Sequence, residues 1–192
     1  MRIHLGPPPH DPTFDAQPPW RPLREPRHIA VVIALALPLG LAAAAGYLAL
    51  ALFLEPTRQL VISGDRWTFA AVLLLIPVHE FLHALVMPGS FTSPQLVLGV
   101  WPRAFLAYVH YTGELTRERW LLVTLCPLVA VTVATLALSR LVPAWREPAL
   151  VFGLLNAIGA GGDLLSAALV LAQVPPEASL RNQGWRTFWR PR

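Results

Sequence analysis

The sequence predicts an all-α membrane protein of about four transmembrane helices, with a short β-hairpin-like loop between the second and third. Apolar residues make up 55% of the 192 residues and charged residues only 14%, a balance too apolar for an ordinary soluble domain. The apolar residues fall in four blocks, 29–54, 69–87, 120–138 and 149–174, each near the ~20 residues that a spanning helix needs. Between the second and third blocks, residues 95–100 and 105–111 are β-prone runs flanking a turn at Pro102, which reads as a hairpin lying at or dipping into the membrane surface.

The first block is long, and Pro38, Gly40 and Gly46 predict that it is bent or tilted. Arginines before it and the run Leu41-Ala42-Ala43-Ala44-Ala45-Gly46 resemble a cleaved signal peptide, but the apolar stretch continues to Leu54, a length that favours a retained span. Residues 1–27 hold eight of their prolines between positions 6 and 26 with few aliphatic residues; a disordered or polyproline-like cytoplasmic tail is expected. Residues 28–174 form the expected membrane domain, with Thr116 as the cap of the third span. Residues 175–192 form a tail in which Trp185, Arg186, Phe188, Trp189 and Arg190 mix aromatic and basic character as interfacial anchors do. Cys126 is the single cysteine, so no internal disulfide can form.

All fifteen basic residues are arginine, and eleven of them fall in residues 1–27, 88–119 and 175–192, against Arg58, Arg66, Arg140 and Arg146 in the other two connections. By the positive-inside rule both termini and the middle loop are cytoplasmic, in what is expected to be a bacterial cytoplasmic membrane. Arginines at span ends serve orientation and anionic headgroups, so the net charge of +4 does not call for nucleic acid as a partner.

Within the second block stands His79-Glu80-Phe81-Leu82-His83. Residues four apart on a helix share a face at a rise of about 6 Å, so both imidazoles can grip one metal ion. Glu80 lies about 100° round the helix, beside the metal rather than on it, where it can act on a bound water. Ionisable groups at this depth cost roughly 2.5–3.5 kcal/mol each on insertion scales, and a divalent cation offsets much of that. A catalytic zinc needs a third protein ligand. Asp65, His110, Glu114 and Asp163 are the candidates, and Asp163 is chosen because it alone lies within a block, at a depth close to that of the histidines. Gly159, Gly161 and Gly162 are expected to let its helix approach the metal-bearing one. Asn156, seven residues earlier and on nearly the same face, reads as a substrate or oxyanion contact or as a polar packing residue, and His110 as a second substrate contact.

The HEFLH motif, the hairpin-like loop, the Tyr108 to Pro127 stretch with Leu115-Thr116-Arg117, and Gly161-Gly162-Asp163-Leu164 together resemble the zincin-peptidase family of integral membrane proteins over roughly residues 30–174. More distantly the chain is similar to the site-2 intramembrane metalloproteases, although Leu164 stands where many of those have glycine and no proline lies between Asn156 and Asp163. The resemblance implies His79, His83 and Asp163 as zinc ligands, Glu80 as catalytic acid/base, and a peptide or membrane-protein substrate. The expected function is therefore a zinc metallopeptidase cleaving peptide bonds near the cytoplasmic face, with the hairpin presenting substrate as an added strand. The alternative class is a non-catalytic protein holding a structural metal or acting as an adaptor, in which a fourth ligand such as His110 would close the site. A metal transporter is disfavoured by the single cluster of ligands within the blocks.

Overall fold

The chain runs β1 (Arg2–Leu5), β2 (Arg21–Pro22), α1 (Ile29–Leu54), α2 (Arg66–Leu85), β3 (Leu96–Trp101), β4 (Leu106–Tyr111), β5 (Leu115–Thr116), α3 (Arg117–Leu141), α4 (Arg146–Gly159), α5 (Gly161–Gln173), β6 (Ser179–Gln183) and β7 (Arg186–Arg190). The computed structural model describes residues 1–54, 64, 66–104 and 106–192; Asp65 and Arg58, weighed above as ligand and topology signal, lie outside the described residues. Helices α1, α2 and α3 are long and apolar enough to cross a membrane, and the short turn at Pro143–Trp145 with α4, followed by α5, would be a fourth span bent by 43°. Large apolar side chains such as Ile33, Leu37, Leu73 and Val133 stand exposed on their outer faces, as suits helices whose surroundings are apolar. Helix α3 starts where the sequence predicts, with the Thr116 hydroxyl accepting the Arg119 N–H at 3.1 Å.

The all-α expectation is overturned. Of the described residues 59% are helical and 17% lie in strands, arranged as two sheets. One has the order β1-β3-β4, the other β2-β7-β6-β5. The hairpin is present, β3 and β4 pairing antiparallel from Leu96↔Tyr111 to Trp101↔Leu106, but β1 pairs parallel with β3 from Arg2↔Val97 to Leu5↔Val100. The β3 edge that a substrate strand was expected to join is thus taken by residues 2–5 of the chain itself. The second sheet assembles strands from the segment before α1, the segment before α3 and the segment after α5.

Residues 1–27, expected to be disordered, are tied down by polar contacts and by burial of Leu23 and Phe14. Asp11 pairs with Arg181 at 2.6 Å. The Glu25 carboxylate accepts the Thr187 N–H at 2.7 Å and the Arg186 Nε–H at 3.3 Å. Composition is blind to such pairing because both partners are charged or main-chain groups. Residues 175–192 form the β6–β7 hairpin, whose turn places Gly184 at φ 57°, a conformation glycine adopts without strain.

Two compact units emerge, residues 1–27, 80–124 and 166–192 in one and residues 28–79 and 125–165 in the other. The first packs Leu96, Tyr111, Leu115, Trp120, Val170 and Leu180 around a buried core. The second packs Ala44, Tyr47, Leu136, Leu150 and Ala157, with the Tyr47 hydroxyl bonded to that of Thr135 at 3.0 Å.

Glycines in the second unit permit a close helix crossing, though not the expected one. A Cβ at Gly40 would overlap the Ile158 carbonyl and one at Gly161 the Ala36 carbonyl, whereas Gly159 and Gly162 face open space. The seam therefore joins α1 to α4 and α5, not α2 to the helix bearing Asp163. Gly161→Ala should destabilise the fold by about 1–3 kcal/mol through overpacking. Gly159→Ala and Gly162→Ala should be neutral or up to about 1 kcal/mol stabilising through helix propensity. Thermal unfolding of the three variants in detergent checks the ranking.

Candidate metal centre

Helix α2 carries His79, Glu80 and His83 one turn apart, and a ligand atom from each lies within 4.8 Å of the others. His83 is buried and its Nδ1 lies 2.8 Å from the Val123 carbonyl of α3. A carbonyl can only accept, so Nδ1 carries the proton and the ring's basic lone pair sits on Nε2.

His79 is held from two sides in the other unit. Its Nδ1 is 2.9 Å from Asn156 Oδ1 on α4, and its Nε2 is 3.0 Å from Asp163 Oδ2 in the first turn of α5. The Asn156 amide is only 1% exposed and its Nδ2 donates to the Pro127 carbonyl at 3.2 Å. That bond fixes which end of the amide is nitrogen. Oδ1 consequently faces His79, and Nδ1 of His79 must donate. A neutral ring would then turn a lone pair on Nε2 towards a carboxylate oxygen, and a proton or a cation between the two would satisfy both.

The donor set suits a zinc ion. Two ligands at about 2.0–2.1 Å on a tetrahedral ion stand roughly 3.3 Å apart, close to the 3.0 Å between His79 Nε2 and Asp163 Oδ2. Both histidines also have their Nδ1 atoms engaged, by an amide and a carbonyl, which is how metal-ligating imidazoles are commonly oriented. Asp163 sits at the positive end of α5. Asp163 Oδ2 thus stands 3.0 Å from His79 Nε2, while the three donors that lie within 4.8 Å of one another are His79, Glu80 and His83, a group that does not include Asp163.

Asn156, read from sequence as a substrate contact or packing residue, bonds His79 and a backbone carbonyl. Its seven-residue spacing from Asp163 was the available signal; the Val123 and Pro127 carbonyls gave none, because residue types do not report main-chain acceptors. His110 lies on β4, 4% exposed, and its Nε2 has no hydrogen-bond partner among the described residues. Glu114 is committed to Arg190 at 2.9 Å.

The HExxH motif on apolar α2 brings His79, Glu80 and His83 together as a group that could hold a metal ion, the pattern of a zincin-type helix. The model of the family described as "Putative zincin peptidase" matches residues 72–179, more than half of the chain, and the chain belongs to that family. No curated protein and no solved structure matches it.

Burial, together with the charges of His10 and His4, pushes His110 down from the usual 6.5 to about 4. Between those values the unfolded chain binds the proton and the folded one does not, so stability is full above pH 6.5 and falls as pH drops towards 4. The contribution is up to roughly 3 kcal/mol. His110→Leu should flatten the pH dependence of the thermal midpoint between pH 7 and 4.5, a comparison that a parallel melt series reads directly.

Proposed function

We propose that the protein is a membrane-embedded zinc metallopeptidase that hydrolyses peptide bonds near the cytoplasmic side of the bilayer. The observation carrying this reading is the imidazole of His79, set on the HExxH helix between Asn156 and Asp163. His79, His83 and Asp163 would hold the ion, leaving the open position of a catalytic site. Zinc bound there supplies a Lewis acid for the scissile carbonyl and acidifies the attacking water. The Glu80 carboxylate takes the proton from that water as its oxygen adds to the carbonyl carbon. It then returns the proton to the amide nitrogen as the C–N bond breaks, yielding a carboxylate and an amine. The combination of an HExxH helix with a later-helix Asp is similar to the site-2 proteases, and a peptide or membrane-protein segment is the proposed substrate.

The cytoplasmic assignment is supported by two independent features. Eleven of fifteen arginines lie in residues 1–27, 88–119 and 175–192, and strands from these same three segments share one sheet. Segments on opposite sides of a bilayer could not pair in this way. Reporter fusions after Arg27, near Arg103 and after Arg192 should all signal cytoplasm; a signal from the far side near Arg103 would reverse the orientation.

Glu80→Gln keeps size and hydrogen bonding but cannot accept the proton. Zinc content of the purified variant should equal that of the parent, while cleavage of candidate membrane peptides should fall by about 10²–10⁴. Parental cleavage rates in this variant, or loss of its zinc, would remove Glu80 from the proposed role. Zinc retained without cleavage by the parent against any peptide would instead indicate a structural metal.

A further inference from the structure

We infer that Pro127, inside α3, is a positioning residue that orients both histidines of the metal site through two backbone carbonyls. The inference rests on the metal-site reading proposed above. Proline has no N–H, so within a helix the carbonyl four residues earlier loses its donor. In α3 that carbonyl belongs to Val123, the atom to which His83 Nδ1 is bonded at 2.8 Å. An ordinary residue at 127 would direct its own N–H at Val123 and compete with the imidazole. The second carbonyl is that of Pro127 itself, which accepts from Asn156 Nδ2 at 3.2 Å and so turns Oδ1 of that amide towards His79 Nδ1 at 2.9 Å.

The two effects have one chemical result. In each imidazole Nδ1 is the atom that donates to a protein acceptor, so the two rings present the same nitrogen, Nε2, for ligation. Pro127 is among the fully buried side chains, and the ordinary cost of a helix-interior proline is here accompanied by a main-chain acceptor delivered to His83. Pro38, inside α1 and exposed, serves as comparison.

The test uses the full chain in detergent, with histidines labelled in ¹⁵N, first stripped of metal and then titrated with zinc against a chelator. Pro127→Ala restores a donor to Val123. His83 should lose its Nδ1–H preference in the metal-free spectrum, and zinc affinity should fall about 10–100-fold, while the metal-free thermal midpoint stays level or rises because a helix-interior proline is gone. Asn156→Ala should shift the His79 resonances and weaken zinc binding while leaving the His83 tautomer as in the parent. Pro38→Ala should change none of these. The inference is overturned if Pro127→Ala keeps the parental His83 tautomer and zinc affinity. It is overturned equally if the midpoint collapses along with the affinity and every histidine resonance moves, the signature of a merely structural role. Because the tautomer is read without metal, a parent that binds no zinc would sink the metal-site reading while the spectrum still decides the role of Pro127.

Discussion

Polar groups carried on apolar helices have no water to turn to, and each must be satisfied by another group of the protein. In this chain the requirement converges on the Asn156 amide, 1% exposed, whose nitrogen is taken by Pro127 and whose oxygen is taken by His79. Leaving either end unpaired would cost about 1–3 kcal/mol. The amide is therefore not free to flip, and the direction of the His79 ring follows from it. The position of Nε2 relative to Asp163 follows in turn. The geometry of the proposed metal site is in this way enforced by a solvation constraint that operates with or without a metal ion.

Outside the helices the dominant force is different. Sheet β2-β7-β6-β5 joins residues that are more than 150 positions apart, Pro22 with Phe188 for instance, and it does so mainly through main-chain bonds and charged pairs such as Asp11 with Arg181. Arginine serves twice here: its fork binds carboxylates, and its planar face lies on aromatic rings, as Arg181 does on Phe14 at 4.4 Å and Arg21 on Trp189 at 5.3 Å. The basic and aromatic residues that resemble membrane anchors in the C-terminal sequence are in large part partners for the proline-rich N-terminal segment.

These two regimes explain what could be seen in the sequence. Spans of about 20 apolar residues are local signals, and all four blocks coincide with α1, α2, α3 and the α4–α5 pair. HExxH is local as well, since its geometry is that of one helical turn. The hairpin at 96–111 was legible from its β-prone runs. Strands β1, β2, β6 and β7 were not, because they are short, polar or proline-bearing and take their register from distant partners. The glycine seam was recognised as a seam but assigned to the wrong neighbour: spacing tells which residues share a face, not which helix that face meets. Asn156 was noticed for the right reason, its alignment with Asp163, while its function depended on a carbonyl that no residue type announces.

The break between α4 and α5 places the two partners of His79 on separate helices. Asn156 and Asp163 bracket one imidazole, whose ring nitrogens are roughly 2.2 Å apart. With contacts of 2.9 and 3.0 Å on either side, the two oxygens can be at most about 8 Å from one another. The chain bends by 43° after Gly159 and starts a new helix at Gly161, so that Asp163 falls in a first turn rather than mid-helix. The absence of a side chain at Gly161 then lets this turn lie against the Ala36 carbonyl of α1. The run Gly159-Ala160-Gly161-Gly162-Asp163 thus does more than thin a packing surface: it ends one helix and starts the next between the two residues that hold the histidine of the HExxH helix.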